Sequence, residues 1–158
     1  MSVPSLVRYA RLQSVRPGTV TLPMPKRDMI WVCEKFYKST EDCRGEQILR
    51  SMGVITCASL FIYNENSDCA CLYHAPSGGI DGGVIKEIFD KLGIDSGDSN
   101  MMKKIFAAIA HNKNYQDDVY QNTLVELHQE WKIPKQNMVD MITQYYDMAI
   151  DKDCLVSF

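Results

Sequence analysis

Long apolar runs are missing from this chain. No stretch approaches the roughly 18–20 consecutive apolar residues that a membrane-crossing helix requires, so no membrane span is expected. The start also lacks the apolar centre of a secretory signal, because Leu6 and Val7 run straight into Arg8, Tyr9, Ala10 and Arg11. The expectation is a soluble protein made in a cytoplasm. In that setting the six cysteines, Cys33, Cys43, Cys57, Cys69, Cys71 and Cys154, remain mostly free thiols. There is no Walker loop, no G-x-G-x-x-G after a strand, no H-E-x-x-H and no G-x-S-x-G. Nucleotide, dinucleotide and zinc-protease functions lose support accordingly. Internal repeats, low-complexity segments and linkers are absent as well.

Acidic residues are absent from the first 27 positions, which carry Arg8, Arg11, Arg16, Lys26 and Arg27. That segment is +5, so the rest of the chain carries −8 to reach the net charge of −3. The overall balance does not favour nucleic acid as a partner. Residues 1–28 read as a basic, solvated arm holding one short strand at Thr19–Leu22, with a delivery or partner-binding segment as the other reading. Residues 29–158 read as one domain, long enough to bury a sizeable core.

What is present is a hairpin pattern. Two runs rich in β-branched and aromatic residues, Val54–Tyr63 and Cys69–His74, flank the polar stretch Asn64-Glu65-Asn66-Ser67. If those four polar residues form the turn, Tyr63 faces Asp68 and Cys57 stands directly opposite His74. Directly opposed residues have Cβ atoms about 4.5–5.5 Å apart, close enough for a thiol to meet an imidazole. Strand alternation then puts Cys57, Ser59, Phe61 and Tyr63 on one face with Ala70, Leu72 and His74. Cys69 and Cys71 point to the other face, so four zinc ligands do not converge.

Around this hairpin, Met29–Tyr37 reads as a strand, residues 38–46 as a loop, and Ile48–Thr56 as a segment continuing into the hairpin. Ala75–Gly79 and Asp81–Gly83 carry loop signals. Val84, Ile85, Ile88, Phe89 and Leu92 recur at helical spacing, with Gly93 as the C-cap. Gly97–Asn100 reads as a loop and Lys103–Ala110 as a buried strand. Asp117 or Asp118 caps a second helix bearing Val119, Tyr120, Thr123, Leu124, Leu127 and Trp131 on one face, with Pro134 past its end. Met138–Ile142, Tyr145–Ile150 and Cys154–Phe158 read as short strands. The fold class is α+β (mixed): two packed sheets, or one large mixed sheet, with about two flanking helices.

A cysteine facing a histidine is the minimal pair of nucleophile and base, since the imidazole generates the attacking thiolate. The bland counterpart is a small buried cysteine beside a satisfied core histidine. Ser51 lies six residues before Cys57, on the same face if the strand is unbroken, and is the candidate to orient His74. Gly53 lies between them and is a position for a bulge. The glycines of Ser77–Gly83 follow His74 almost at once. His111 and His128 read as structural or exposed.

The stretch resembles the CheD-type chemoreceptor glutamine deamidases, whose Cys–His core is shared by bacterial deamidase toxins such as cytotoxic necrotizing factor. The resemblance rests on Gly53–Thr56 before Cys57, on L-F-I-Y at 60–63, and on C-L-Y-H at 71–74 followed by Ala75-Pro76. The spacing of 17 from Cys57 to His74 matches, and the order of elements is similar over residues 29–158. Thr56 stands where the family has serine, H-N-K-N-Y at 111–115 replaces a glycine-rich segment, and the D-x-G-G signature near the C-terminus is absent. The resemblance implies a CheD-like sandwich and a cysteine-dependent protein glutamine deamidase acting through a thioester. Cys57, His74 and Ser51 would form its catalytic set, with no metal or organic cofactor. The departures imply a protein substrate other than a chemoreceptor, and with it a bacterial cytoplasmic protein or an effector secreted into a host cell. The alternatives are an inactive adaptor on the same fold, or a related Cys–His hydrolase or transglutaminase.

Overall fold

The computed structural model describes residues 29–32, 35–42, 48–51, 57–111, 117–142, 148–151 and 156–157. The expected arm at 1–28 with its strand Thr19–Leu22, and Cys33, Cys43, Gly53, Thr56 and Cys154, lie outside them.

Two consecutive seven-residue strands, Ala58–Asn64 (β4) and Cys69–Ala75 (β5), have every side chain buried. A strand in this state must be covered on both faces. One cover is helical. Ala58, Leu60, Ile62, Cys71 and Tyr73 pack with Ile85, Ile88, Phe89 and Leu92, and with Tyr120 and Leu127. These belong to helix α1 (Gly82–Lys91), its cap, and helix α3 (Asp117–Gln129). Strand β6 (Ile105–His111) adds Ile105, Ala107 and Ile109 to the same cluster. The other face meets a second sheet, joined to the first by a buried hydrogen bond from Ser59 Oγ on β4 to Ser51 Oγ on β3 (Ile48–Ser51).

The larger sheet runs β2-β5-β4-β6-β7, with β2 at Tyr37–Ser39 and β7 at Met138–Ile142. All its neighbours are antiparallel except β6 and β7, which are parallel and joined through α3. The smaller sheet runs β1-β3-β8-β9, with β1 at Met29–Trp31, β8 at Met148–Asp151 and β9 at Val156–Ser157. Its β1–β3 pair is parallel. The class is therefore α+β, built on two sheets.

Several expectations need correction. Met29–Tyr37 is not one strand: it divides between the two sheets, and Lys35 takes a left-handed conformation with φ 72°. Ile48–Ser51, the described part of the segment expected to run on into the hairpin, pairs as β3 with β1 and β8 instead, and residues 52–56 lie outside the described residues. Asp81-Gly82-Gly83 opens α1, with the Asp81 carboxylate accepting from Gly83 N at 2.8 Å. At the other end, Gly93 (φ 65°) and the bond from Ile94 N to Phe89 O close the helix as a glycine-terminated cap. Gly97–Asn100 is not all loop: Asp98 caps a short helix, α2 (Ser99–Met102), by accepting from Asn100 N and Met101 N.

The hairpin register also differs. The turn occupies Glu65–Asp68 rather than Asn64–Ser67, and Asn64 pairs with Cys69. Asn64 Oδ1 accepts from Asn66 N, while its Nδ2 donates to the Leu92 carbonyl at 2.9 Å. Asp68 takes the left-handed turn position at φ 54°, which Asp tolerates, and accepts from the Tyr63 hydroxyl at 2.7 Å. Every pair is thus displaced by two positions. A displacement of two leaves each side chain on its expected face, whereas a displacement of one would have reversed them all.

Ile109→Ala empties a site on β6 that is fully buried. It should lower the unfolding free energy by about 2–5 kcal/mol in urea titration. Asn64→Ala leaves the Leu92 carbonyl without its donor and should lower it by about 1–3 kcal/mol.

Candidate functional site

Cys57 sits on a bend immediately before β4 and is 8% exposed. It is not directly opposite His74, because the register pairs His74 with Ser59. Cys57 is therefore two residues from the position that faces the imidazole, at the strand end where β4 emerges.

His74 is held from several directions. Its backbone N–H donates to Phe36 O at 3.1 Å, and its carbonyl accepts from Lys35 N at 2.9 Å. Lys35 and Phe36 together oppose this one residue, with Lys35 in the left-handed conformation. That pattern is a β-bulge, a device that re-aims the local chain. The ring Nδ1 lies 3.3 Å from the Val32 carbonyl. A carbonyl only accepts, so Nδ1 carries the proton there, and in the neutral ring the lone pair falls on Nε2. The residue as a whole is 6% exposed.

Ser51 is fully buried, but it belongs to the other sheet rather than to the strand of Cys57. Its hydroxyl accepts from Ser59, the residue across from His74. Ser51 thus reaches the histidine's neighbourhood through Ser59, which the sequence analysis did not single out as a functional residue. An Asn64 read as the last strand residue, whose side chain starts the turn, would have revealed Ser59.

Two further residues lie near Cys57, on the helix-covered face rather than the face that carries Ser59 and His74. His111 is not a residue after the strand: it ends β6, pairs with Ala58 next to Cys57, and is fully buried. Its ring lies 5.3 Å from that of Tyr120, also fully buried, on α3. Burial, and secondarily the charge of Cys57, pushes the Tyr120 hydroxyl up to about 12. No local sequence signal links Tyr120 to Cys57; the helix packing does. His128 is half-buried and donates from Nδ1 to the Ile133 carbonyl at 2.8 Å, which ties down the end of α3.

The remaining thiols differ in kind. None of Cys57, Cys69 and Cys71 is in a disulfide. Cys69 and Cys71 lie on the helix-covered face, away from the face that carries Ser59 and His74. Burial pushes the Cys71 thiol up to about 12, with the neighbouring Cys69 adding to the shift. Burial raises Cys69 too, against the hydroxyl of Thr40, which lies 3.5 Å from its sulfur. Both stay protonated near neutral pH and are poor nucleophiles. Among the described residues, no three His, Cys, Asp or Glu side chains are grouped to hold a metal ion. Among the same residues, no helix is long and apolar enough to cross a membrane.

No protein-family model matches this chain, and no curated protein matches its sequence.

The lowered acidities of these buried groups set an alkaline limit on stability. The folded protein keeps the protons of Cys71 and Tyr120 at pH values where the unfolded chain loses them. Their contribution is complete below the ordinary values of 9.0 and 10.0 and falls away as pH rises toward about 12. Tyr120→Phe should therefore flatten the loss of thermal stability between about pH 10 and 12 relative to wild type, measured by circular dichroism melts.

Proposed function

We propose that this protein is a cysteine-dependent amide hydrolase acting on glutamine side chains of another protein. The observation that carries this reading is the strand-end corner where Cys57 precedes β4 and His74 faces Ser59, with Nδ1 turned to the Val32 carbonyl. Such a ring presents Nε2 as the basic nitrogen. The other two described thiols are held protonated on the opposite face. The resemblance to CheD-type deamidases supplies the reaction class.

In this mechanism His74 Nε2 takes the thiol proton and Cys57 Sγ attacks the carboxamide carbon, forming a C–S bond. The protonated imidazole then returns that proton to the departing nitrogen. The C–N bond breaks and ammonia leaves, which gives a thioester. His74 next removes a proton from water, the water oxygen adds to the thioester carbon, and the C–S bond breaks as the imidazolium returns that proton to Cys57 Sγ. The product is a glutamate side chain and the free thiol. Ser59 and Ser51 would hold the wall behind the imidazole. Tyr120, kept neutral, adds a buried O–H near Cys57 from the helix-covered side.

An inactive binding adaptor is the competing reading, and thiol reactivity separates the two. Cys57 should alkylate with iodoacetamide near neutral pH faster than Cys69 and Cys71, and His74→Ala should slow that labelling. On a protein that wild type modifies, Cys57→Ala should abolish ammonia release and the deamidation mass shift. His74→Ala should reduce the rate by roughly 10²–10⁴-fold. Equal ammonia release by wild type and Cys57→Ala would overturn the nucleophile. Slow Cys57 labelling, unchanged in His74→Ala, would favour the adaptor.

A further inference from the structure

His111 and Tyr120 are fully buried polar side chains to which the proposed mechanism gives no step. They stand at one end of a layer built mainly of apolar residues such as Leu60, Ile88 and Ile109. Polar groups in such a layer cost stability unless a neighbour uses them. Their position points to Cys57. Strand β4 lies between β5 and β6. Its first residue, Ala58, pairs with Ala75 on β5 and with His111 on β6. The next residue, Ser59, pairs with His74. Directly opposed residues of antiparallel strands have Cα atoms about 4.5–5.5 Å apart. Cys57, directly before Ala58, is thus bracketed by one imidazole on each neighbouring strand. His74 lies on the face toward the second sheet. His111 lies on the face toward the helices, with its ring 5.3 Å from that of Tyr120 on α3. Cys57 sits in a bend, so strand alternation does not tie its side chain to either face.

Complete burial restricts what the pair can do. Neither side chain reaches solvent, so neither meets a glutamine or activates the hydrolytic water. What remains within reach is the nucleophile itself. N–H and O–H donors stabilise an anion, and most strongly away from water. Tyr120 keeps its proton near neutral pH, because burial and, secondarily, the charge of Cys57 push its hydroxyl up to about 12. The strands around the pair add no formal charge, since β4, β5 and β6 contain no Asp, Glu, Lys or Arg. On the other elements packed against β6, Asp140 of β7 pairs with Ile109, and Asp117 and the exposed Asp118 open α3. None of these carboxylates is altered in the test below, so they add the same background throughout.

We propose that His111, braced by Tyr120, is a positioning residue for Cys57: the two hold the thiolate from the helix-covered side while His74 handles its proton from the other. The inference rests on the deamidase reading for the role of Cys57, but thiol reactivity measures it without a substrate. Losing a group that stabilises the thiolate makes the thiol a weaker acid. The pH at which labelling reaches half its maximum must then rise.

Iodoacetamide labelling of Cys57 is followed by peptide mass spectrometry across neutral and alkaline pH, with Cys69 and Cys71 counted in the same digests. His111→Phe removes both ring nitrogens and keeps an aromatic ring against Tyr120. Tyr120→Phe removes one hydroxyl, and it carries the test if His111→Phe does not fold. Each should raise the half-maximal pH and slow Cys57 labelling near neutral pH about three- to tenfold, with the alkaline plateau unchanged. His111→Gln returns a side-chain N–H and should recover part of the loss. An unchanged pH profile in both phenylalanine variants would overturn the inference. So would a rate slowed equally at every pH, or new labelling of Cys69 and Cys71 with an unshifted Cys57 profile, since both report only a loosened fold. Ammonia release from a protein substrate is measured in parallel. Release that needs Cys57 but is unaffected by both phenylalanine variants would overturn the inference and leave the deamidase reading standing. A raised half-maximal pH without ammonia release from any protein tested would keep the link between His111 and Cys57 and count against the deamidase reading.

Discussion

The register of the β4–β5 hairpin is the constraint on which the rest depends. Every residue of both strands is buried, so each side chain must suit the layer it enters. A slip of one residue would turn Leu60, Ile62 and Tyr73 away from the helices and send Ser59 and His74 into them. Asn64 holds the register. Its carbonyl oxygen starts the turn and its amide nitrogen ties the strand end to the cap of α1. Asn66 and Glu65 add bonds to Met101 O and Lys104 O, which link the turn to the segment leading into β6. Asn64, with the turn it starts, thus couples a hairpin, a helix end and the next strand. It is 2% exposed, a burial that an amide tolerates only when its polar atoms are paired.

The two faces created by that register give identical residue types different chemistry. Cys69 and Cys71 enter the helix-covered layer, where loss of water makes ionisation costly. Cys57 lies off the end of β4 instead, where a bend frees it from strand alternation. Polar groups gather at that end: Ser59 bonded to Ser51 across the sheets, His74 turned to Val32, and His111 beside Tyr120. A buried hydroxyl pair between sheets is directional, so it fixes how the layers meet where apolar packing alone would tolerate sliding. The bulge at Lys35 and Phe36 contributes in the same way, since only a doubled residue lets the edge strand both pair with Tyr73 and bracket His74.

Much of the architecture was legible in local patterns. The helix at 82–91 followed from apolar residues at helical spacing and from Gly93, and the helix at 117–129 followed from its acidic start and Pro134. Strand β6 followed from a short, wholly apolar run. The capping of α2 by Asp98 was missed because a single helical turn has no periodicity to detect. The break in Met29–Tyr37 was missed because a lysine in the left-handed region carries none of the usual glycine signal. The turn was misplaced by one residue because asparagine is equally at home ending a strand or opening a loop.

Local sequence determined the alternation of the hairpin, and therefore that His74 and Ser59 share a face from which Cys69 and Cys71 are excluded, because strand geometry has a period of two. It also determined where the helices begin and end, through caps that act over three or four residues. Only the tertiary structure decided that Ser59 rather than Cys57 faces His74, that Ser51 comes from the second sheet, and that His111 and Tyr120 lie near Cys57 on the helix-covered side. Those relations depend on a turn bonded to a helix end 28 residues away, and on the packing of two sheets and a helix. Contacts of that range leave no periodic trace in the residues that make them.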